Sequence, residues 1–362
     1  MAERIPVAII GVGGFGNLTL QALLSSSVVQ LVGLADRDSG VAARAGNAAR
    51  VPAFTDNRSL LAQTRPKIVY LAVPPVAAAE MTIACAERGI HVWKELPLAR
   101  NLSEGVALVT RMERAKLKLG VGTQRRFAGG YRKAFELIPR LEEIFLARSH
   151  YLFNWGASLD WRGDQAAAGG GALMELGYHP IDLLIWLLGL PEEVYGFSTI
   201  SSRKDRRGPH GKLQPIYDTD DTAAAVLRYG GGLMATVVTT RCSGPVSEQL
   251  CLHGRCGSLA ASAETCLLRG PEGNVLENFA DRNSPLDVFR VQAESFAQAV
   301  MSDSNYYECS ARENLLNLAV IESIYLSNRT NQPEHPVRLL KTHGLNVQEC
   351  LLHRPPDAAK ST

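Results

Sequence analysis

The 362 residues suffice for one large domain or two of ordinary size, each with its own core. Hydrophobic residues make up 46% of the chain and charged residues 20%, which excludes disorder as its main character. A formal net charge of +2 gives no electrostatic case for nucleic acid or a membrane surface as a partner.

The residues up to Pro6 run straight into an apolar strand, without the charged, then apolar, then small pattern of a signal peptide. That strand, residues 7–10, is followed at once by Gly11-Val12-Gly13-Gly14-Phe15-Gly16. A helix comes next, with Leu18, Leu20, Leu23 and Leu24 as its apolar face. Residues 29–35 predict a second strand that stops at Asp36-Arg37. Helix through the forties leads to a short strand near Phe54 and a helix at 59–63. Residues 68–73 are the fourth strand, closed by Pro74-Pro75, and 77–88 the next helix. IHVWKELPLA, residues 90–99, holds the fifth strand, and 102–117 a further helix before Gly120-Val121-Gly122. Continuous apolar strands alternating with helices predict a parallel sheet covered on both faces.

The glycine pattern lies between a strand and a helix, and Asp36 ends the next strand 20 positions after Gly16. That is the context of a dinucleotide fingerprint rather than of a glycine-rich structural turn. Gly11 permits the tight turn, Gly13 close backbone approach to a pyrophosphate, and Gly16 close packing of helix on strand. Gly14 and Phe15 complete the loop, and the helix start offers unpaired N–H groups to phosphate. Asp36 would accept from the ribose hydroxyls, which favours NAD. Arg37 could instead pair with a 2′-phosphate, which keeps NADP as the alternative.

From about Arg125 the rhythm changes. A helix near 131–138 precedes a long strand at 144–155 and then GGGALMELGYHPIDLLIWLLG, 169–189, a glycine-led helix with a strongly apolar second half. Strands follow at 194–201, 222–229, 233–240, 248–253 and 258–268, with a hairpin turn at Tyr229-Gly230-Gly231-Gly232. Two helices, 288–300 and 311–326, come last, the second opened by a capping box of Ser310 and Glu313. These elements predict a mostly antiparallel open sheet with helices on one face. A symmetric partner sheet would cover the other, as a homodimer or homotetramer. The fold class is therefore α/β, a Rossmann domain over 1–124 plus an α+β domain over 125–337 for substrate and oligomerisation, then a tail, 338–362.

The longest apolar stretch, 183–188, is too short to span a bilayer. Seven cysteines, odd in number and never spaced Cys-x-x-Cys, fit a reduced protein. A soluble, cytoplasmic protein is expected. Cys251 and Cys256 flank His253 with no second ligand pair, so no metal is expected.

Together these residues resemble the glucose–fructose oxidoreductase/inositol dehydrogenase (Gfo/Idh/MocA) family, from about Val7 to Val337. Two linked motifs carry the resemblance: a fifth strand ending Glu-Lys-Pro, and a helix reading Gly-Gly-x-Leu-x-Asp-x-Gly-x-His-x-x-Asp. The chain keeps Glu95 and Pro97 but has Leu96 at the family's lysine. In the helix it keeps Gly170, Gly171, Leu173, Gly177, His179 and Asp182 but has Glu175 for the aspartate. Ala78 stands near the position where the family often has a histidine after the fourth strand.

The resemblance implies an NAD(P)-dependent oxidoreductase acting on a sugar, cyclitol or polyol. It implies that Val73, Pro74, Glu95 and Pro97 line the cofactor. In the family the lysine polarises the reacting oxygen while the aspartate and histidine handle the proton, and Leu96 can do none of that. His179 is then the base, being the side chain that titrates near neutral pH unaided. Glu175 lies four residues earlier, on the same face if the helix continues through Pro180. Asp182 suits an orienting role. Lys94 shares a strand face with Leu96 and could return an ammonium to the site, or else reach the surface or a carboxylate. Arg125 and Arg126 follow Gln124 at the domain junction, where they face the cleft or brace it. Trp161 and Arg162 could line a sugar pocket. The basic run 203–212 is a solvated loop or an anion contact. Two other functions stay open: redox-assisted elimination or epimerisation, and a non-catalytic dinucleotide-binding sensor or inactive partner.

Overall fold

The computed structural model describes residues 4–156, 159–201, 217–302 and 307–352. The basic run 203–212 and the end of the tail lie outside them. The chain divides into two compact units. The first comprises Met1–Leu98, Gly105–Gln124 and Asn283–Ala311; the second comprises Ala99–Glu104, Arg125–Arg282 and Arg312–Thr362.

In the first unit six parallel strands lie in the order β3-β2-β1-β4-β5-β6. They are β1 Ile5–Ile10, β2 Val29–Ala35, β3 Ala53–Phe54, β4 Ile68–Leu71, β5 His91–Lys94 and β6 Leu119–Val121. Both faces are buried under helices, which is why β1 and β4 can be almost wholly apolar. Strand order reverses between β1 and β4, the switch point at which such sheets open a crevice for ligand. Asp38 and Asp56 cap the helices Ser39–Ala49 and Asn57–Thr64 by accepting from Val41 and Ser59 backbone N–H groups.

Helix Pro285–Met301, expected from its place in sequence to belong with the second sheet, packs in the first unit. Ala293, Phe296 and Ala297 join Ile5, Val7, Leu20 and Leu23 in its core. An apolar stripe marks a helix as amphipathic but does not say which sheet it will cover. The capping box of Ser284 and Asp287 starts it.

The second unit holds an eight-stranded sheet in the order β14-β13-β12-β11-β7-β10-β9-β8. Its strands are β7 Ile144–Asn154, β8 Glu193–Thr199, β9 Thr222–Arg228, β10 Met234–Thr240, β11 Cys242–Gly254, β12 Gly257–Ala261, β13 Thr265–Arg269 and β14 Val275–Ala280. Only β10 with β7 is parallel; the other pairs are antiparallel. The single strand expected over 258–268 is two, β12 and β13, folded back on each other, and β14 extends the sheet further.

The glycine-led segment is likewise two helices, Ala172–Glu175 and Tyr178–Leu188, separated at Gly177. His179 lies inside the second helix despite Pro180. The proline occupies the first turn, where its missing N–H would have had no partner. Every residue of Tyr178–Leu188 is buried. Beyond the expected second domain, helices Pro336–Thr342 and Val347–Cys350 order part of the tail. Among the described residues no helix is long and apolar enough to cross a membrane, and no cluster could hold a metal ion.

Candidate functional site: a dinucleotide loop and a histidine cluster

In the first unit β1 ends at Gly11, whose φ of 86° and position leave no room for a side chain. A Cβ there would stand 2.3 Å from the Ala72 carbonyl oxygen, and one on Gly16 would stand 2.1 Å from the Gly11 oxygen. Gly13 and Gly14 differ: a Cβ on either meets nothing within 4 Å. The space over the start of helix Gly14–Ser25 is therefore open, and no side chain caps that helix start. Backbone N–H groups aimed into open space are what a pyrophosphate requires. Phe15 lies exposed beside them.

Asp36 accepts from the Val12 N–H through Oδ2 and from the Asp38 N–H through Oδ1, both at 3.0 Å. The carboxylate thus clamps the glycine loop and keeps lone pairs for a ribose diol. Arg37 is exposed. Past β4, Val73 and Pro74 form the turn into helix Pro75–Ala86, with Pro74 as its N-cap.

At the end of β5 the charges turn inward. Lys94 is buried and does not reach the surface. Its Nζ donates to the carbonyl oxygens of Pro97 and Leu98, the latter at 2.9 Å. The turn leaves those carbonyls without strand partners, and a buried ammonium satisfies them. Glu95 accepts from the Tyr70 hydroxyl. Part of Glu95 remains accessible, but its carboxyl lies against Tyr70 and Gly122, whose Cβ would come within 3.1 Å of Oε2. Burial pushes its pKa up to about 7, against the Tyr70 hydrogen bond and the Lys94 charge.

In the second unit Tyr151, Phe153 and Trp155 alternate along and just past the end of β7. Residues two apart share a sheet face, so they form an aromatic row. The Tyr151 ring meets the His179 ring edge-on at 5.6 Å between centroids. Arg125 lies over Tyr151 at 5.4 Å and donates from Nε to Glu248 at 2.6 Å. Glu248 also accepts from the Tyr131 hydroxyl at 3.0 Å. The His179 Nδ1 is buried with no hydrogen-bond partner. Burial first, and the Arg125 charge second, hold its pKa well below the usual histidine value, so the imidazole is neutral at neutral pH.

Glu175 does not reach His179. Its Oε1 accepts from Arg162 Nε at 2.6 Å, and the Arg162 guanidinium lies between Trp155 and Trp161, at 4.1 and 4.4 Å from the ring centroids. A planar cation stacks on two ring faces while its edge binds a carboxylate. Arg126 and Asp182, expected at substrate, are sealed in the core instead. Arg126 Nε and a terminal nitrogen donate to the two Asp182 oxygens at 2.9 and 2.7 Å, and Glu313 takes the other terminal nitrogen at 2.9 Å. Asn317 adds a third donor to Asp182 at 2.9 Å. Long-range burial decides this, and sequence spacing carries no sign of it.

Sequence also gives no sign of Asp220, which accepts from the Gly171 and Leu173 N–H groups at 2.8 and 2.9 Å and from the Tyr325 hydroxyl at 2.6 Å. It fixes the glycine-led turn that precedes His179. Tyr151, Trp155 and Glu248 went equally unmarked, although the strand periodicity of the aromatic row was there to be read.

Two models of one family match the chain. Residues 5–123 match the oxidoreductase family with an NAD-binding Rossmann fold, and residues 131–260 match the GFO/IDH/MocA C-terminal domain. Together they span more than half of the sequence, and the protein belongs to the GFO/IDH/MocA oxidoreductase family. Its first unit is that family's NAD-binding domain. Levoglucosan dehydrogenase of Pseudarthrobacter phenanthrenivorans is 28% identical over 247 residues, 63% of this chain and 60% of that protein, so the match spans less than two thirds of it. D-xylose 1-dehydrogenase (NADP(+)) 2 of Haloferax volcanii is 25% identical over 89% of this chain and 97% of its own. An oxidoreductase domain protein from Kribbella flavida shares the fold with a TM-score of 0.83 and 23% identity, over 92% of this chain and 99% of its own.

Proposed function

We propose that the protein is an NAD-dependent dehydrogenase of a sugar, cyclitol or related polyol, with His179 as the proton acceptor. The observation that carries this reading is the buried, unpartnered Nδ1 of a histidine held neutral beside an aromatic row. A neutral imidazole is ready to take a proton from a hydroxyl, and aromatic faces suit the apolar side of a sugar ring. Nicotinamide, when bound, supplies the hydride acceptor. The residues that would hold the dinucleotide are Gly11, Gly13, Gly14, Gly16 and Asp36, with Val73, Pro74, Glu95 and Pro97 at the neighbouring strand ends. His179 takes the hydroxyl proton, Asp220 holds its approach segment, and Glu175 stays fixed on Arg162. Asp36 opposes a 2′-phosphate, which favours NAD over NADP. Levoglucosan dehydrogenase and myo-inositol 2-dehydrogenase of Thermotoga maritima are relatives whose names fit this substrate class.

We also propose that a second copy covers the outer face of the large sheet. Phe197, Val226, Met234 and Val238 are exposed there, while Gly196 on the other face packs against Ile324.

The test is a panel of levoglucosan, myo-inositol, D-xylose and related polyols with NAD and NADP, for wild type and His179→Ala. Wild type should turn over at least one polyol, faster with NAD. His179→Ala should abolish turnover and leave NADH affinity, read by fluorescence, nearly unchanged. Leu96 and the sequestered Lys94 favour one competing reading, a dinucleotide-binding sensor. A wild type that binds NADH but oxidises nothing would establish it.

A further inference from the structure

We propose that Arg125 supplies the positive charge that stabilises the reacting substrate oxygen, a task that Leu96 cannot perform. The proposal rests on the dehydrogenase reading above. In that reaction the carbinol C–H bond breaks with both electrons leaving as hydride to nicotinamide. The O–H bond breaks with its proton passing to His179, and C=O forms. As the proton departs, oxygen carries negative charge, and a fixed cation aimed at it lowers the barrier.

Four other cations, with Leu96, can be taken in turn. Leu96 brings no charge, and Lys94 donates its ammonium to the Pro97 and Leu98 carbonyls. Arg126 is consumed by Asp182 and Glu313 with its side chain only 1% exposed. Arg162 is held on Glu175 between two tryptophans. Arg241 is wholly buried and donates to the Arg162 carbonyl and to Thr219.

Arg125 differs from all of these. Its Nε is taken by Glu248 and it also engages the Tyr151 hydroxyl, yet its side chain is still 20% exposed. Its guanidinium overlies the tyrosine whose edge meets His179, so charge and proton acceptor share one neighbourhood. Glu248 is itself fixed by Tyr131, so the guanidinium is held from behind. The Arg125 charge also contributes to keeping His179 neutral, which links the two groups electrostatically. A guanidinium stays protonated at any working pH and presents two donors to one oxygen.

The experiment compares wild type, Arg125→Gln, Arg125→Lys and Glu248→Gln in full-length protein, on the best polyol of the panel. Arg125→Gln should lower kcat by about 10²–10³-fold, the effect of losing one oxyanion donor, with a much smaller change in KM. Arg125→Lys should recover part of that loss, and Glu248→Gln should lose less than Arg125→Gln. The His179 ring titration, followed by NMR without turnover, should move to higher pH in Arg125→Gln, and the acid limb of kcat/KM should move with it. An active wild type whose kcat survives Arg125→Gln within threefold overturns this proposal alone. So does an equal kcat loss in Arg125→Lys and Arg125→Gln with the His179 titration unmoved, which would mark Arg125 as structural. A wild type inert on every polyol while binding NADH overturns the dehydrogenase reading, and this proposal with it.

Discussion

Arg162 donates from Nε to Glu175 at 2.6 Å while two tryptophan rings hold its guanidinium from either side. The carboxylate that stands at the family's aspartate position is thereby anchored to a rigid cation rather than to His179. The two side chains are each about one-fifth exposed, so the ion pair alone is worth at most about 1 kcal/mol. The stacking adds to it. Arg162→Leu should destabilise by about 1–2 kcal/mol in urea denaturation. A double-mutant cycle with Glu175→Gln should return a coupling of at least about 0.5 kcal/mol. Zero coupling would show the contact to be incidental.

The glycine loop separates folding from cofactor binding. A methyl on Gly16 would meet the Gly11 oxygen at 2.1 Å, so Gly16→Ala should cost about 1–3 kcal/mol of stability. Gly13 has open space, so Gly13→Ala should stay within about 0.5 kcal/mol of wild type in urea denaturation. Fluorescence titration should nevertheless show Gly13→Ala binding NADH at least about tenfold more weakly, because the pyrophosphate needs the backbone there. Unchanged NADH affinity would mean that the cofactor does not approach this residue.

Among the ion pairs of the described residues the Arg126 fork is deeply buried, shared by Asp182 and Glu313 with every side chain 1% exposed. Arg126→Met would leave two carboxylates without their cation in the core. A loss of about 3–5 kcal/mol is expected, read as a lower denaturation midpoint. A drop below about 1 kcal/mol would show that the fork does not hold the core together.

Glu95 sets a pH dependence. Its folded pKa near 7 lies above the ordinary glutamate value of 4.5, so the folded form binds more protons between those values. Its contribution to stability is then full below about pH 4.5 and is lost as pH rises through 7. With partial exposure of the residue taken into account, about 2 kcal/mol is at stake. Glu95→Gln should flatten the pH–stability profile between pH 5 and 8 and gain relative to wild type at the alkaline end. An identical pH slope in both proteins would rule out the raised pKa.

Some of this was written locally. Strand, glycine turn, helix and Asp36 follow one another within the first 36 residues, and local periodicity and turn sterics suffice to predict a dinucleotide loop. The glycine-led segment before His179 is legible as a motif, but what requires Gly171 is tertiary: a Cβ there would lie 1.8 Å from the backbone carbonyl oxygen of Asp220, 49 positions on. Tertiary structure decided what each charge does. Asp182 and Arg126 are 56 positions apart, Glu175 and Arg162 thirteen, Arg125 and Glu248 123. A charged side chain is indifferent to its sequence neighbours and settles where burial offers an opposite charge or an unpaired carbonyl. Sequence therefore named Arg125, Arg126, Arg162, Glu175, His179 and Asp182 but not Glu248 or Asp220, and packing alone determined which charges became core ion pairs and which stayed near His179.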